Sequence, residues 1–424
     1  MSKRDALNVL LLGGGAREHA IAWRASRSPR LKKLWTLPGN AGTAQFGTNV
    51  PGDPADVKFV VDVARREAID LVIVGPEEPL AAGVVDALAQ AGILAFGPKA
   101  DGARLEADKS YAKHLMRQHA IPTAESRVFE DYENAREYIS SRDEALVVKA
   151  SGLAKGKGVI VCEDPAQAIL AAENMLLKQE FGEAGRRIVV EERLNGREVS
   201  LMAFVDGRTI YVLDPAQDHK RLRDGDLGPN TGGMGAFCPT STISPAIMRN
   251  IETQILVPTL DALVRDEIEY RGLLYVGLML TPAGPKVLEF NCRFGDPEAQ
   301  AILMRMKSDL LDVCEATARG RLEQANIEWD DRHSVVVVLA GGDYPNKSSV
   351  GAPIEGLPDL AGRDDLFVFH GGTKLERGRV VTNGGRVLSA AALAPTREAA
   401  RDAAYQLAGR IRFEGMQYRR DIAM

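Results

Sequence analysis

The 424-residue chain is predicted to be an α/β protein in three successive parts. A parallel-sheet domain is expected over 1–105. A two-lobed central domain follows over 106–330, with its smaller lobe at about 124–195, and an α+β domain closes the chain over 331–424. Three observations predict this. Short apolar runs alternate with Gly-rich breaks and amphipathic stretches through the first hundred residues, strand-like runs dominate the middle, and a fresh β-rich pattern begins near 334.

In the first part the apolar runs are 9–12, 34–37, 71–74 and 93–96. Each is continuous rather than alternating, as central parallel strands covered on both faces require. The breaks after them are Gly13-Gly14-Gly15, Pro38-Gly39-Asn40-Ala41-Gly42-Thr43, Gly75-Pro76-Glu77-Glu78-Pro79 and Gly97-Pro98. A doubly wound sheet places such turns at its carboxyl edge, where ligands bind. From 108 to about 142 the pattern reads as helix, with Tyr111, Leu115 and Met116 on one stripe and Ile121-Pro122 as a break. Strands are expected at 146–149, 159–161, 188–190, 199–205, 210–213 and 273–280, with a helix over 165–177. The last part is expected to hold strands at 335–339 and 367–369, an Asn383-Gly384 hairpin before Gly385-Arg386-Val387-Leu388, and a helix from 396 to about 409.

Composition excludes several function classes. Apolar content of 45% with 26% charged residues is that of a folded globular chain. A net charge of −5 gives no general attraction to nucleic acid or anionic lipid, so neither is an expected partner and an anionic ligand needs local cations and amides. The four cysteines, Cys162, Cys238, Cys292 and Cys314, are scattered and fit free thiols in a reducing, cytoplasmic compartment. No signal peptide is read. No apolar run approaches the roughly 18 residues of a membrane helix, and the six histidines show no zinc spacing.

Chemistry concentrates in a few motifs. From Leu288 to Glu298, Glu289, Asn291 and Arg293 alternate with Leu288, Phe290, Cys292 and Phe294, so one face of a strand is polar and the other apolar. Two oxygen donors roughly 6–7 Å apart by strand rise, followed by a guanidinium, suit Mg²⁺ with a polyphosphate. An edge strand with a solvated face is the bland alternative. Gly13-Gly14-Gly15-Ala16-Arg17-Glu18-His19 follows a strand and opens a helix whose amides can hold a phosphate. Glu18 stands where a dinucleotide fingerprint needs its third glycine, which favours a single phosphate or sugar phosphate. Lys149-Ala150-Ser151-Gly152-Leu153-Ala154-Lys155-Gly156-Lys157-Gly158 lacks the spacing of a Walker loop and lies between two strands. It reads as a flexible hairpin over phosphates, or as a mobile surface hairpin. Glu191, Glu192 and Glu198 read as a purine-framing edge or as exposed turn residues. The stretch from Gln217-Asp218-His219-Lys220-Arg221 to Gly232-Gly233-Met234-Gly235 is a long, donor-rich loop that allows close backbone approach.

Taken in order, Gly15-Ala16-Arg17-Glu18-His19-Ala20, the 38–43 turn, Val74-Gly75-Pro76-Glu77, the 149–158 hairpin, 217–221, 228–236, 289–298 and Val381-Thr382-Asn383-Gly384-Gly385-Arg386 resemble the phosphoribosylamine–glycine ligase (glycinamide ribonucleotide synthetase) family of the ATP-grasp superfamily. The resemblance covers nearly the whole chain. Ala16 departs from it, where many relatives carry glycine; a methyl at a helix start is tolerated. The resemblance implies an ATP-grasp fold: a Rossmann-like N-terminal domain, the two-lobed ATP-grasp domain and a C-terminal domain. It also implies a reaction in which ATP, glycine and 5-phosphoribosylamine give glycinamide ribonucleotide, ADP and phosphate through glycyl phosphate, the second step of purine synthesis.

Residue roles follow from the resemblance as expectations. Glu289 and Asn291 would ligate Mg²⁺ (or Mn²⁺). Lys109, Lys149, Gly152, Lys155, Gly156, Lys157 and Gly158 would hold the polyphosphate, with Glu191, Glu192, Leu194 and Glu198 framing adenosine. Arg293, Lys149 and Asp214 form the expected catalytic group. Gly13, Gly15, Arg17, Glu18, Gly39, Asn40, Gly42 and Thr43 would hold the ribose phosphate. Asn230, Thr231, Gly232, Gly233 and Met234, with Asp296 and Glu298, would place glycine, and Glu77, Asp218 and Lys220 are further substrate contacts. A monomer is expected, with room for transient channelling to neighbouring purine enzymes. The rivals are another ATP-grasp carboxylate–amine ligase, a nucleotide-binding regulator without turnover, and a nicotinamide-binding dehydrogenase.

An acyl phosphate must be kept from water, so the lobe carrying the 152–158 hairpin is expected to close as a lid. Limited proteolysis should therefore cut that hairpin several-fold more slowly with ATP than without it. Equal protection in both states would remove the lid.

Overall fold

Val9 and Leu11 of the first apolar run face one core while Leu10 and Leu12 face another, which is why the run cannot alternate. In this computed structural model, which describes residues 6–154 and 156–424, the run is the central strand of a five-stranded parallel sheet. The strands are β1 (Leu7–Gly13), β2 (Leu31–Pro38), β3 (Thr48–Asn49), β4 (Leu71–Val74) and β5 (Leu94–Phe96), in the order β3-β2-β1-β4-β5. Helices α1 (Ala16–Ala25), α2 (Val57–Arg66), α3 (Glu77–Ala81), α4 (Val84–Gln90) and α5 (Ala100–Ala107) connect and cover it. The Gly-rich turns lie at the carboxyl edge, as expected.

Helix α6 (Lys109–Gln118) starts where Asp108 accepts hydrogen bonds from the amides of Ser110 and Tyr111. The helical pattern expected to run on to 142 is interrupted by β6 (Ser126–Phe129) before α7 (Tyr132–Ser140). Ser-Arg-Val-Phe is too short and polar to announce a strand, and it forms only by pairing with β9 (Ile188–Glu192). With β7 (Leu146–Ala150) and β8 (Val159–Val161) these make an antiparallel sheet in the order β6-β9-β7-β8, backed by α7 and α8 (Pro165–Leu176). This lobe has its own core, from Ala135 to Val190. Lys155, in the β7–β8 loop, lies outside the described residues.

The base of the central domain is the sheet β11-β10-β16-β17, with β10 (Arg197–Asp206), β11 (Thr209–Val212), β16 (Arg271–Thr281) and β17 (Gly284–Asn291). Helices α9 (Pro245–Ile251) and α10 (Val257–Arg265), joined by a π-helical turn, pack on it. This sheet shares its cores with the N-terminal sheet: Leu10 and Leu12 belong to one cluster with Leu201, Val276 and Phe290. The two sheets are therefore one body, and the small lobe stands beside it with a core of its own.

Helices α11 (Glu298–Arg305) and α12 (Leu310–Ala318) lead to β18 (His333–Ala340), whose sheet has the order β12-β15-β18-β23-β20. Its members β12 (Gln217–Asp218) and β15 (Gly235–Cys238) come from the middle of the chain, so this sheet crosses position 331. Between them β13 (Arg221–Arg223) and β14 (Leu227–Asn230) form a two-stranded ribbon. A second small sheet holds β19 (Ser349–Pro353), β21 (Thr373–Glu376) and β22 (Arg379–Gly384), while β20 (Leu366–His370) and β23 (Arg386–Ala394) belong to the larger one. The expected Asn383-Gly384 hairpin is thus not one. The chain changes sheets there, where Gly384 packs against Gly372 and Gly385 against the Tyr344 ring, so a side chain at either position would clash. Helix α13 (Arg397–Ala408) begins at its Thr396 cap and covers the sheet with Ala400, Ala404 and Leu407.

Candidate active site

The polar row on β17 is set by a bulge. Glu289 pairs opposite Gly277 but Val287 pairs opposite Leu278, so Leu288 is the extra residue. Phe290, Cys292 and Phe294 are buried beneath the row as expected, whereas Leu288 is not on their face. It lines the cleft, and its carbonyl accepts from Lys149 Nζ at 3.1 Å. The cleft has a volume of about 1230 Å³ and lies between the small lobe and the base.

Arg293 ties this row to the N-terminal domain. Its guanidinium lies 3.1 Å from Glu77 Oε2, 2.8 Å from Glu106 Oε1 and 3.3 Å from Asn291 Oδ1. Burial would raise the Glu77 carboxyl, but Arg293 and Arg17 draw it down to about 2. Glu106 is pushed up to about 7 by burial, against the pull of Arg293 and with the Glu77 charge adding to the rise. Its second oxygen accepts the Cys292 amide at 2.7 Å. Glu106 is not among the expected site residues because, in Ala-Arg-Leu-Glu-Ala, it reads as an ordinary exposed helix position.

Three further cations face the row. Lys109 opens α6, with burial lowering its ammonium, and it reaches the carbonyl of Gly152 at 3.4 Å. Lys149, on β7, pairs with Glu191. Lys220 lies 3.0 Å from Glu198 and 3.9 Å from Glu289. Above them, Gly156 and Gly158 of the hairpin line the cleft, and Gly156 has φ +75. Gly152 packs on Ala184 and Lys157 is exposed.

At the far end, Leu194 and Glu198 line the cleft together with Glu191 and Glu192. Glu191 is neither a turn residue nor a free carboxylate: it is 2% exposed and is held by Lys113 as well as Lys149. Glu192 is engaged by Lys286 at 2.9 Å.

The opposite end contains Arg17, Asp218, Asn230, Thr231, Gly232, Asp296 and Glu298. Glu298 Oε1 accepts from Ser200 Oγ at 2.9 Å and Tyr275 OH at 3.0 Å. Burial pushes Asp218 up to about 8 despite Lys220. Arg386, another residue not expected here, arrives from β23. It donates to the carbonyls of Gly232 and Asp296, each at 2.6 Å, and Tyr344 OH accepts from Gly232 N at 2.9 Å. Its placement depends on the sheet change after Gly384, which no local pattern signals.

Several expected contacts are not brought to the cleft. The Gly15 amide at the start of α1 is taken by the chain's own Glu18 Oε2 at 2.6 Å, while Glu18 Oε1 holds Arg17 Nε at 2.6 Å. A Cβ at Gly13 would stand 2.6 Å from the Glu18 side chain, so that glycine makes room for the fold-back. In the 38–43 turn, Asn40 donates to the carbonyls of Gly14 and His370 and accepts from the amides of Gly42 and Thr43. Thr43 Oγ1 bonds to Asn49, and Gly39 takes φ +73. These residues cement two turns to the C-terminal sheet. Met234 is fully buried, and Gly233 packs against Pro297. Asp214 is a correction to the expected catalytic group: it pairs at 2.7 Å with Arg305, a buried guanidinium that needs an anion, and does not line the cleft.

The donors on β17 fit magnesium. Among the described residues no three His, Cys, Asp or Glu side chains form a cage. Glu289 and Asn291 supply two hard oxygens and leave positions for phosphate and water, as Mg²⁺ requires. Lys109, Lys149, Lys220 and Arg293 line the same cleft and would balance a polyphosphate beside those donors.

Comparison with known proteins gives one consistent family. Models of the phosphoribosylglycinamide synthetase N domain, ATP-grasp (A) domain and C domain match residues 7–106, 107–299 and 334–424. A phosphoribosylamine–glycine ligase of Rhodopirellula baltica is 46% identical over 423 residues, covering 98% of this chain and 97% of that protein. The crystal structure of phosphoribosylamine–glycine ligase from Thermotoga maritima superposes with a TM-score of 0.85 at 35% identity, covering 98% of this chain and all of that one. The biotin carboxylase domain of Hydrogenobacter thermophilus 2-oxoglutarate carboxylase has a TM-score of 0.75 at 16% identity, over 98% of this chain and 92% of that one, and so shares the fold.

Glu106 makes stability depend on pH. Its carboxyl is raised from 4.5 to about 7, so its contribution is fully present below pH 4.5 and is lost as pH rises through about 7. Glu77, drawn down to about 2, acts below that window. The difference in urea midpoint between the wild type and Glu106→Gln should therefore change between pH 4.5 and pH 7.5. A tenfold gain in proton affinity on folding is worth about 1.4 kcal/mol, which sets the least size expected. A constant difference across that range would refute the assignment.

Proposed function

The chain belongs to the phosphoribosylglycinamide synthetase family, and we propose that it joins glycine to 5-phosphoribosylamine with ATP, giving glycinamide ribonucleotide, ADP and phosphate. The observation that carries this reading is one cleft in which Glu289, Asn291 and Arg293 stand opposite Lys109, Lys149 and the glycine hairpin.

In this proposal the glycine carboxylate attacks the γ-phosphorus. Glycyl phosphate forms as the bond to the β-phosphate oxygen breaks and ADP leaves. The ribosylamine nitrogen then attacks the acyl carbon, phosphate departs, and the nitrogen loses a proton. No enzyme nucleophile is needed. Glu289 and Asn291 would hold Mg²⁺ (or Mn²⁺), which supplies neutralisation of the polyphosphate charge. Lys109 and Lys149 bind phosphate oxygens. Arg293, fixed by Glu77 and Glu106, presents a preorganised cation to the transferring phosphoryl group. Leu194 and Glu198 frame adenosine, and Gly156 and Gly158 cover the phosphates with Lys157 beside them. Asp296, Glu298 and the 230–232 segment place glycine, with Asp218 and Lys220 adjacent. The amine substrate's phosphate is assigned to the side of the cleft bounded by Arg17. The cytoplasm and a monomeric state are part of the proposal. Among the described residues no helix is long and apolar enough to cross a membrane.

Two experiments test the reading. In a coupled assay, ADP release should require both glycine and freshly made phosphoribosylamine. Release with formate or bicarbonate instead would replace the substrate, and tight ATP binding with no turnover would leave a regulator. Glu289→Ala should keep the wild-type circular dichroism spectrum but lose at least about 10²–10³-fold in kcat, several kcal/mol of transition-state stabilisation. A near-normal rate at saturating Mg²⁺ would show that the metal sits elsewhere.

A further inference from the structure

Three charged side chains share one buried spot at the root of the small lobe. Glu191 on β9 is 2% exposed, and Lys113 on α6 and Lys149 on β7 are each 5% exposed. Lys113 Nζ lies 2.5 Å from Glu191 Oε2, and Lys149 Nζ pairs with Oε1 of the same carboxylate. The partners ride on different bodies. Helix α6 is packed into the base core through Ala112, Leu115 and Met116, whereas β7 and β9 carry the lobe's own core through Val148 and Val190. Lys113 is anchored a second time by Thr123 Oγ1 at 2.8 Å, and that hydroxyl donates to the Val287 carbonyl at 2.7 Å.

Two ammonium groups on one carboxylate are one more than charge balance requires. Burial would raise the Glu191 carboxyl, yet Lys149 and Lys113 hold it below its ordinary value, so it is ionised. A buried carboxylate stripped of its only cation is strongly unfavourable. If Lys149 were alone on Glu191, moving it to a phosphate oxygen would create that state. With Lys113 in place, Lys149 can leave and Glu191 stays paired.

We infer that Lys113 is a positioning residue for nucleotide binding, the standing counter-ion that lets Lys149 exchange Glu191 for the triphosphate. The inference rests on the ATP-ligase reading. It also places the exchange at the lobe junction, so the Lys113–Glu191 pair keeps the lobe registered on α6 while Lys149 changes partner.

The test uses the full chain, with the KM for ATP and kcat from the ADP assay and the Kd for a non-hydrolysable ATP analogue from titration. Lys113→Met should raise KM and Kd roughly tenfold or more, while kcat at saturating ATP falls far less. Lys113→Gln, which keeps an N–H donor but removes the charge, carries the same expectation should the Met variant fold poorly. Lys113→Arg should stay near the wild type. Adding Glu191→Gln to Lys113→Met should bring KM and Kd back towards the wild type, because no carboxylate remains to retain Lys149. An unchanged Kd in Lys113→Met and Lys113→Gln, or a rise that Glu191→Gln does not relieve, overturns the inference. Loss of glycine-dependent ADP release in the wild type, with the Kd pattern intact, would instead sink the ligase reading alone.

Discussion

Arg293 is the side chain on which the site depends. From just past the end of β17, its guanidinium spans to two carboxylates of the N-terminal domain, Glu77 and Glu106, and back to Asn291, the last residue of that strand. A charge at this depth is tolerable only when paired, and here the pairing also fixes direction. Because Glu106 additionally accepts the Cys292 amide, the end of β17 is held from both its backbone and its side chain. Arg17 repeats the tie from α1 by donating to the Phe294 carbonyl at 3.1 Å. The polar row is thus oriented by contacts with a domain whose sequence lies about two hundred residues earlier.

That fixation separates two bodies with cores of their own. The parallel sheet and the base sheet share apolar cores, so the Glu289–Arg293 row and the cations at its side form one floor. The small lobe has a core of its own and meets the floor through polar contacts, chiefly Lys113–Glu191, Lys149 with the Leu288 carbonyl, and Glu192–Lys286. Such contacts can be exchanged one for another without exposing apolar surface. Arg386 and Tyr344 close the other end by gripping Gly232, which makes the C-terminal sheet part of the wall.

Much of this was legible in the sequence because its physical causes are local. Continuous apolar runs marked the parallel strands, and the Gly-rich breaks after them marked the turns at the carboxyl edge. The alternation from Glu289 to Phe294 marked the chemical strand. The remainder depended on long-range contacts. Strand β6 exists only through its pairing with β9, and the bulge at Leu288 is visible only against β16. Glu106, Lys113 and Arg386 look ordinary until partners far along the chain reach them. The glycine turns carry internal contacts that their pattern does not announce. Their pattern speaks of a ligand, and in the structure Glu18 and Asn40 bond to the chain's own groups there. Asp214 likewise looked chemical and proved to be the counter-ion of Arg305.

Strands β12 and β15 come from mid-chain but complete a sheet whose other members begin at His333. During synthesis β15 leaves the ribosome roughly a hundred residues before β18, on the order of 5–20 s at ordinary elongation rates. Throughout that interval the Gly-Ala-Phe-Cys strand has an open edge, and an unpaired edge is a template for association with other chains. The nascent protein therefore cannot finish one domain before starting the next. The wall that Arg386 completes is made later still, so a competent cleft forms only once β23 has left the ribosome.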